Sequence, residues 1–227
     1  MKLYHFLKEE HGLTAIRDQR LKVARISELN DPFEYIHFDT SNYVSQAVLK
    51  ERRRKANQRF GLICLSARFD DPVQWAHYGD AHRGMCLGFE VADANLIKVE
   101  YVDSRASLAE FRESLDLSLP EFLRQQLSRK FKHWQYEQEH RLIVPASKTT
   151  DLIFHPFSES LRLIDVMIGA RSKLTYASIR ALIQVLSPAS SHFQNEGLSN
   201  GVRNGAFDMT AIIPNKSFKP MPLRGTA

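Results

Sequence analysis

The chain has 227 residues, of which 43% are hydrophobic and 25% are charged. These ordinary values exclude a disordered chain, a collagen and a long coiled coil. The net charge of +5 makes an anionic partner possible, such as a nucleotide, a nucleic acid or an acidic protein, without establishing one.

In chain order, the hydrophobic pattern predicts a strand at 2–8, a helix at 9–20, a strand at 21–26, a helix at 41–59, a strand at 60–67, a short helix at 72–79, strands at 84–91 and 97–102, a helical region at 107–134 interrupted near Leu119-Pro120, strands at 137–145, 151–157 and 161–168, a helix at 173–186 and a strand at 208–213. Strands and helices do not alternate regularly, which favours the α+β class. We expect one domain at 1–213, with a mostly antiparallel sheet, continuous or split, flanked by helices. A loose tail is expected at 214–227.

Cellular location is indicated by the apolar segments. None approaches the ~20 residues of a membrane span, and the first residues lack the pattern of a signal peptide. Cys64 and Cys86 lie in apolar runs, which is typical of buried thiols in a reducing compartment. We expect a soluble, cytoplasmic protein with no membrane partner; the oligomeric state stays open.

The most informative segment is 134–144, WQYEQEHRLIV. On a strand, the period of two places Glu137, Glu139 and Arg141 on one face. Two adjacent carboxylates with a guanidinium could orient a ribose hydroxyl, stabilise a cation forming on a sugar ring, or bind a metal. The alternative is a salt-bridged strand end without a chemical role.

Two further segments carry candidate binding residues. In 65–84, Trp75 and Tyr78 could stack on a planar ring and Arg83 could hold a phosphate; alternatively, the aromatic residues are core anchors and Arg83 pairs with an acid. The turn at 27–34 contains Asn30 and follows Arg25, and dense polar turns of this kind are either architectural or functional. His5, on the first strand, is a structural histidine or a ligand-binding one.

A family resemblance extends from about residue 4 to residue 144. The segments LNDPFE at 29–34, LS at 65–66, WAHYG at 75–79, HRG at 82–84, LGF at 87–89 and WQYEQEHR at 134–141 occur in this order. Together they resemble the bacterial and phage domain-of-unknown-function 2971 family.

A looser resemblance is to the ADP-ribosyltransferase fold, whose enzymes use a His or Arg on the first core strand, an aromatic or hydroxyl group beside the nicotinamide, and a Glu at the start of a later strand. His5, Tyr78 and the Glu137/Glu139 pair occur here in that order, whereas the Ser-Thr-Ser element of some subclasses is absent. This resemblance implies NAD as the substrate and cleavage of its nicotinamide–ribose bond, with a nucleic acid or a protein as acceptor.

The same resemblance implies roles for individual residues. Glu139 would stabilise the oxocarbenium-like state and Glu137 would align or deprotonate the acceptor. His5 would hold the ribose and Tyr78 would stack on the nicotinamide. The other cofactor-binding candidates are Arg83 or Arg25 for the pyrophosphate, together with Trp75 and Asn30.

Two other functions remain open at this point. A metal-dependent nuclease could hold Mg²⁺ with Asp70 or Asp71 and the Glu137/Glu139 pair, although the glutamate strand lacks the lysine commonly expected beside such a metal. A non-catalytic module that binds nucleotide or nucleic acid would also suit the basic charge.

Overall fold

The structure is a computed structural model that describes residues 1–31, 43–92, 96–146, 152–186 and 207–214. The strands in this part of the chain are β1 (Lys2–Leu7), β2 (Arg20–Arg25), β3 (Phe60–Ser66), β4 (Met85–Val91), β5 (Leu96–Lys98), β6 (Glu100–Val102), β7 (Arg129–Phe131), β8 (Glu139–Pro145), β9 (Ile153–Pro156), β10 (Leu161–Ile168) and β11 (Phe207–Pro214). The helices are α1 (Glu9–Asp18), α2 (Tyr43–Arg59), α3 (Pro72–His77), α4 (Leu108–Ser114), α5 (Leu119–Leu127) and α6 (Tyr176–Leu186), with 3₁₀ helices at Ile26–Glu28 and Lys132–Glu137.

Most of the strands form one sheet, in the order β11-β10-β4-β1-β3-β2-β9, with β8 on β3 and β5 on β8. Its pairings are antiparallel except for the parallel pair β10–β11. Strands β6 and β7 form a separate parallel ribbon. The predicted α+β class with a mostly antiparallel sheet is confirmed.

The sheet divides at β3. One edge of β3 pairs with β8 along its full length, from Phe60 to Ser66. The other edge is shared: β2 pairs with Gly61 and Leu62, whereas β1 pairs only with Ser66, through Tyr4. Strands β1 and β2 therefore pair with opposite ends of β3, and neither pairs with residues 63–65 between those ends.

Helices cover both faces of the sheet. Successive residues of β3 alternate between two cores: Ile63 joins the core that contains Ile16 of α1 and Ile179 of α6. Leu62 joins the core that contains Leu49 of α2 and residues of α4 and α5. This alternation is the strand period of two, and it accounts for the continuous apolar run of β3.

The second half of the chain can be compared with the expected elements one by one. The single strand expected at 97–102 is divided at Val99, so that β5 pairs with β8 while β6 pairs with β7. The interruption expected near Leu119-Pro120 is present between α4 and α5, at 115–118. Pro120 itself lies in the first turn of α5, where its missing N–H costs nothing, after the cap residue Ser118. Residues 129–131, expected to be helical, form β7.

Some predictions fall outside the described residues: Pro32, Phe33 and Glu34 of the turn, the first two residues of the helix expected at 41–59, and the tail after Pro214. Among the described helices, none combines the length and the apolar character that a membrane crossing requires.

Candidate active site

A cavity of about 120 Å³ lies where β1 and β3 separate. It is lined by residues of β1 and β3, of the turn before residue 31, of α3 and of the segment 130–139: Tyr4, His5, Phe6, Leu29, Asn30, Cys64, Leu65, Ser66, Gln74, Tyr78, Lys130, Glu137 and Glu139. Five of the predicted site residues, from distant parts of the sequence, are therefore brought together: His5, Asn30, Tyr78, Glu137 and Glu139.

His5 marks the point at which the two strands part. Its Nδ1 lies 2.8 Å from the Cys64 carbonyl oxygen, which can only accept a hydrogen bond. Nδ1 therefore carries the proton, and in the neutral ring Nε2 is left as an acceptor. Burial lowers the pKa of His5 and favours this neutral form, against the opposing effect of the Cys64 hydrogen bond.

The two glutamates lie in a buried network of alternating charge. Lys130 Nζ donates to Glu137 at 2.7 Å and to Glu139 at 3.2 Å. Arg141 binds Glu139 through two hydrogen bonds of 2.8 Å each. Arg141 is completely buried, and Lys130, Glu137 and Glu139 are at most 5% exposed. Two cations thus balance two carboxylates inside the protein, as burial requires.

The backbone around Gln138 brings these carboxylates together in a way that the strand pattern did not predict. Strand β8 begins at Glu139, so Glu137 lies at the end of the 3₁₀ helix and not on the strand. Gln138 between them has a left-handed φ of 44°. The Glu137 carbonyl accepts from Ser66 Oγ at 2.6 Å, and the Glu139 N–H donates to the Tyr101 hydroxyl at 2.8 Å. The adjacency of the glutamates comes from this turn and from Lys130.

The two carboxyl groups have opposite pKa shifts. Burial raises the pKa of both, but for Glu139 the charges of Arg141 and Lys130 outweigh burial and hold its pKa down to about 2. For Glu137, burial and the neighbouring Glu139 outweigh the attraction of Lys130, and the pKa is raised. Glu139 is consequently ionised at neutral pH, whereas Glu137 is the group more able to take up a proton.

Tyr78 connects the cavity to Glu137. Its hydroxyl donates to Glu137 at 2.6 Å and accepts from the Asn30 side-chain amide at 2.8 Å. Burial and the Glu137 charge raise the pKa of Tyr78, so the phenol stays protonated. Tyr78 directly follows helix α3 as its C-terminal cap, and the residue before the helix is the cap residue Asp71, whose carboxylate accepts from the N–H groups of Val73 and Gln74.

Three predicted binding residues do not line the cavity. Trp75 is fully buried: its indole N–H donates to the Phe69 carbonyl, and its ring packs edge-on against Phe6. Arg25 donates to the Asn57 carbonyl. Arg83 is exposed and pairs with Asp80. Trp75 is therefore a core anchor and Arg83 pairs with an acid, as the alternative interpretation of this segment predicted.

The carboxylates proposed for a magnesium site are separated. Asp70 pairs with Arg68 and Asp71 caps α3, while Glu137 and Glu139 bind Lys130. Among the residues that the structure describes, no group of three or more His, Cys, Asp or Glu side chains could hold a metal ion.

Lys130 also lines the candidate site, and the sequence pattern did not predict it. It lies nine residues before Glu139, in β7 within a region expected to be helical. The β6–β7 ribbon pairs Tyr101 with Lys130 and so delivers two groups to the site. No spacing rule connects a lysine on a short ribbon with glutamates beyond a 3₁₀ helix. Only the prediction of a strand, in place of a helix, at residues 129–131 could have indicated that Lys130 belongs to the site.

Comparisons with known proteins add no assignment to this geometry. No family model, curated protein or solved structure matches the chain.

Proposed function

We propose that the protein is an NAD-consuming enzyme of the ADP-ribosyltransferase type, which breaks the bond between nicotinamide and ribose and transfers the ADP-ribosyl group to an acceptor. The observation that carries the proposal is Glu137, a buried carboxylate of raised pKa on the wall of a cavity formed by the parting of two sheet strands. The resemblance in residue order to the ADP-ribosyltransferases supports it. The resemblance to the domain-of-unknown-function 2971 family implies no activity of its own, so it is compatible with this proposal.

The size and chemistry of the cavity suit one end of the dinucleotide. An apolar cavity of about 150 Å³ holds a benzene ring, so the cavity of about 120 Å³ is of the right order for a single ring. Tyr4, Phe6 and Leu65 supply apolar walls, and polar groups converge at one side. The nicotinamide end of NAD would enter, and the larger adenosine end would remain outside.

The chemistry follows from the two pKa shifts. The C–N bond between ribose and nicotinamide breaks with its electron pair going to the ring nitrogen, which leaves positive charge on the sugar. The Glu137 carboxylate would stabilise this charge in a site shielded from water. An acceptor hydroxyl then bonds to the sugar carbon, and its proton passes to Glu137, which has the raised pKa that a base needs.

The roles of the two glutamates differ in this proposal from those implied by the resemblance. Both oxygens of Glu139 are bound by Arg141, and one of them also by Lys130. Its charge is thereby compensated, so Glu139 is a positioning residue that holds Lys130. Glu137 becomes the catalytic carboxylate.

His5 and Tyr78 would act on the bound sugar and on Glu137. The acceptor nitrogen of His5 can receive a ribose hydroxyl, as the resemblance implies. Tyr78 orients Glu137 by its hydrogen bond, with its own orientation supported by Asn30. We assign the reaction to the cytoplasm, because the two free cysteines suit a reducing compartment, and we include nucleic acid among the acceptors because of the net charge of +5.

The test is incubation of the purified protein with NAD labelled in the adenosine part and a mixture of protein, DNA and RNA acceptors. We expect release of free nicotinamide and transfer of label to one acceptor class. Glu137→Gln should reduce release at least a hundredfold, because base catalysis contributes about 10²–10⁴ in rate. Glu113→Gln, which changes an exposed glutamate in α4, is the matched control.

Two results would contradict the proposal. One is no release of nicotinamide by a folded protein with any acceptor; saturable NAD binding without consumption would then identify a binding module. The other is full activity of a folded Glu137→Gln variant. Consumption of DNA or RNA that requires a divalent metal would favour the nuclease instead.

A further inference from the structure

A second cavity, of about 350 Å³, opens beside the first. It lies between the start of α1, the loop from Gly79 to Gly84 and the segment that follows β10. All of its lining residues are ionisable: four cations, Lys8, Arg83, Arg171 and Lys173, and three acids, Glu9, Glu10 and Asp80. This lining differs from that of the first cavity, which is largely apolar.

In the part of the chain that the structure describes, three cations of the second cavity have no carboxylate at ion-pair distance. Asp80 is bound by Arg83, and the more distant charge of Lys8 also lowers its pKa. Glu9 accepts a hydrogen bond from Ser172 Oγ at 2.8 Å, and Glu10 lies 3.7 Å from His11 Nε2. Within the described part of the chain, the side chains of Lys8, Arg171 and Lys173 form neither an ion pair nor a hydrogen bond. Three cations therefore face one cavity with no carboxylate at ion-pair distance.

The segments that present these cations are held closely together. The Arg171 N–H donates to the His82 carbonyl at 2.8 Å, and the Gly169 N–H donates to the Gly84 carbonyl at 2.9 Å. A Cβ on Gly169 would lie 2.3 Å from the His82 carbonyl oxygen. Asp80, Ala81 and His82 all have left-handed φ values, a costly conformation for three consecutive residues with side chains. The cations are thus carried by a backbone that the surrounding contacts hold in place.

We propose that this cavity binds a phosphate-bearing anion. Three unpaired cations, one of them a guanidinium, match the several charged oxygens of a phosphate group. Phe6 and Tyr78 line the first cavity, while Lys8 and Asp80, two positions further along the same segments, line the second. The anion is either a free phosphate or the pyrophosphate of the nucleotide in the first cavity; the latter source rests on the proposed function.

The test uses inorganic pyrophosphate as the probe, with its affinity measured by calorimetry at physiological ionic strength. We expect saturable binding that Arg171→Ala/Lys173→Ala weakens at least tenfold, since the variant loses two cations that can form charge-assisted hydrogen bonds to the phosphate oxygens. Both side chains are exposed and the Arg171 hydrogen bond uses its backbone, so the variant should fold. Lys50→Ala/Arg124→Ala removes equal charge from exposed helix positions and should bind as the unchanged protein does.

Competition identifies the source of the anion. Displacement of pyrophosphate by NAD assigns the cavity to the nucleotide, and binding that NAD leaves unaffected assigns it to a free anion; either result supports the site. Glu137→Gln should retain pyrophosphate binding while losing nicotinamide release, which separates this inference from the proposed function. The inference is overturned if pyrophosphate does not bind, or if both double variants bind it equally.

Discussion

The hydroxyl oxygen of Tyr78 lies 2.6 Å from a carboxylate oxygen of Glu137, although 59 residues separate the two in the chain. The hydrogen bond favours the ionised carboxylate and partly offsets the effect of burial, which raises the pKa of Glu137. Tyr78, which directly follows helix α3, therefore influences the protonation of the carboxyl group that we propose to be catalytic, although the two residues belong to distant parts of the sequence.

Substitution Tyr78→Phe should raise the pKa of Glu137 further, because it removes a hydrogen bond that stabilises the anion. Activity requires ionised Glu137. On acidification, the variant should therefore lose activity at a higher pH than the unchanged protein does. We also expect about a tenfold lower rate at neutral pH. The measurement is kcat/KM for nicotinamide release across pH; Tyr176→Phe, at a tyrosine that is 47% exposed, is the control. An unchanged acid limb would show that Tyr78 does not act on Glu137.

The two glutamates should differ in their importance for stability. Glu139→Gln leaves the guanidinium of Arg141 buried with incomplete compensation and should cost about 3–5 kcal/mol in the free energy of unfolding. Glu137→Gln should cost less, about 1–3 kcal/mol, because burial already disfavours the ionised carboxylate there and Lys130 keeps Glu139 as a partner. Urea unfolding at neutral pH measures both, and equal losses would contradict the assignment of Glu139 as the compensated anion.

Acid should remove the stability contributed by Glu139. Its pKa is about 2 in the folded protein against an ordinary value of 4.5, so its contribution is complete above pH 4.5 and is lost as the pH falls toward 2. Glu137, with a raised pKa, acts in the opposite sense. The free energy of unfolding should therefore fall more steeply between these pH values in the unchanged protein than in Glu139→Gln. A constant difference between the two proteins would contradict this prediction.

Gly84 should tolerate no side chain. A Cβ there would lie 2.1 Å from the Leu7 carbonyl oxygen and 3.0 Å from backbone atoms of Gly79. Gly84→Ala should cost about 1–3 kcal/mol, because backbone and not a flexible side chain would have to move. Gly12→Ala is the contrasting variant: its Cβ would meet side-chain atoms and not backbone, with the Met85 sulfur at 2.7 Å and the Met85 Cβ at 3.0 Å, and alanine favours a helix by about 0.8–1 kcal/mol. Thermal unfolding compares them; a smaller loss for Gly84→Ala than for Gly12→Ala would contradict the argument.

Elements with strong local signals were predictable. Strand β10 was predicted at the bounds observed, 161–168, from a continuous apolar segment that ends at Gly169. The α+β class followed from the irregular mixture of strands and helices. The division of the strand expected at 97–102 was not predictable. The residues before Val99 pair with β8 and those after it pair with β7, and both partners are brought there only by the tertiary structure. The beginning of α5 at Leu119 could have been found from its cap, Ser118 with Glu121 three residues later.

The amino-acid sequence alone determined most of the helices and strands, the α+β class and the residue types of the candidate site, since apolar period, caps and turn residues act over a few neighbouring positions. Tertiary structure decided which of those residues meet. It placed Lys130 between Glu137 and Glu139, brought Tyr78 and His5 to the same cavity, and left Arg25, Arg83 and Trp75 outside it. The physical reason is that burial and charge compensation depend on which distant segments pack together, and these set the opposite pKa shifts of two glutamates only two residues apart.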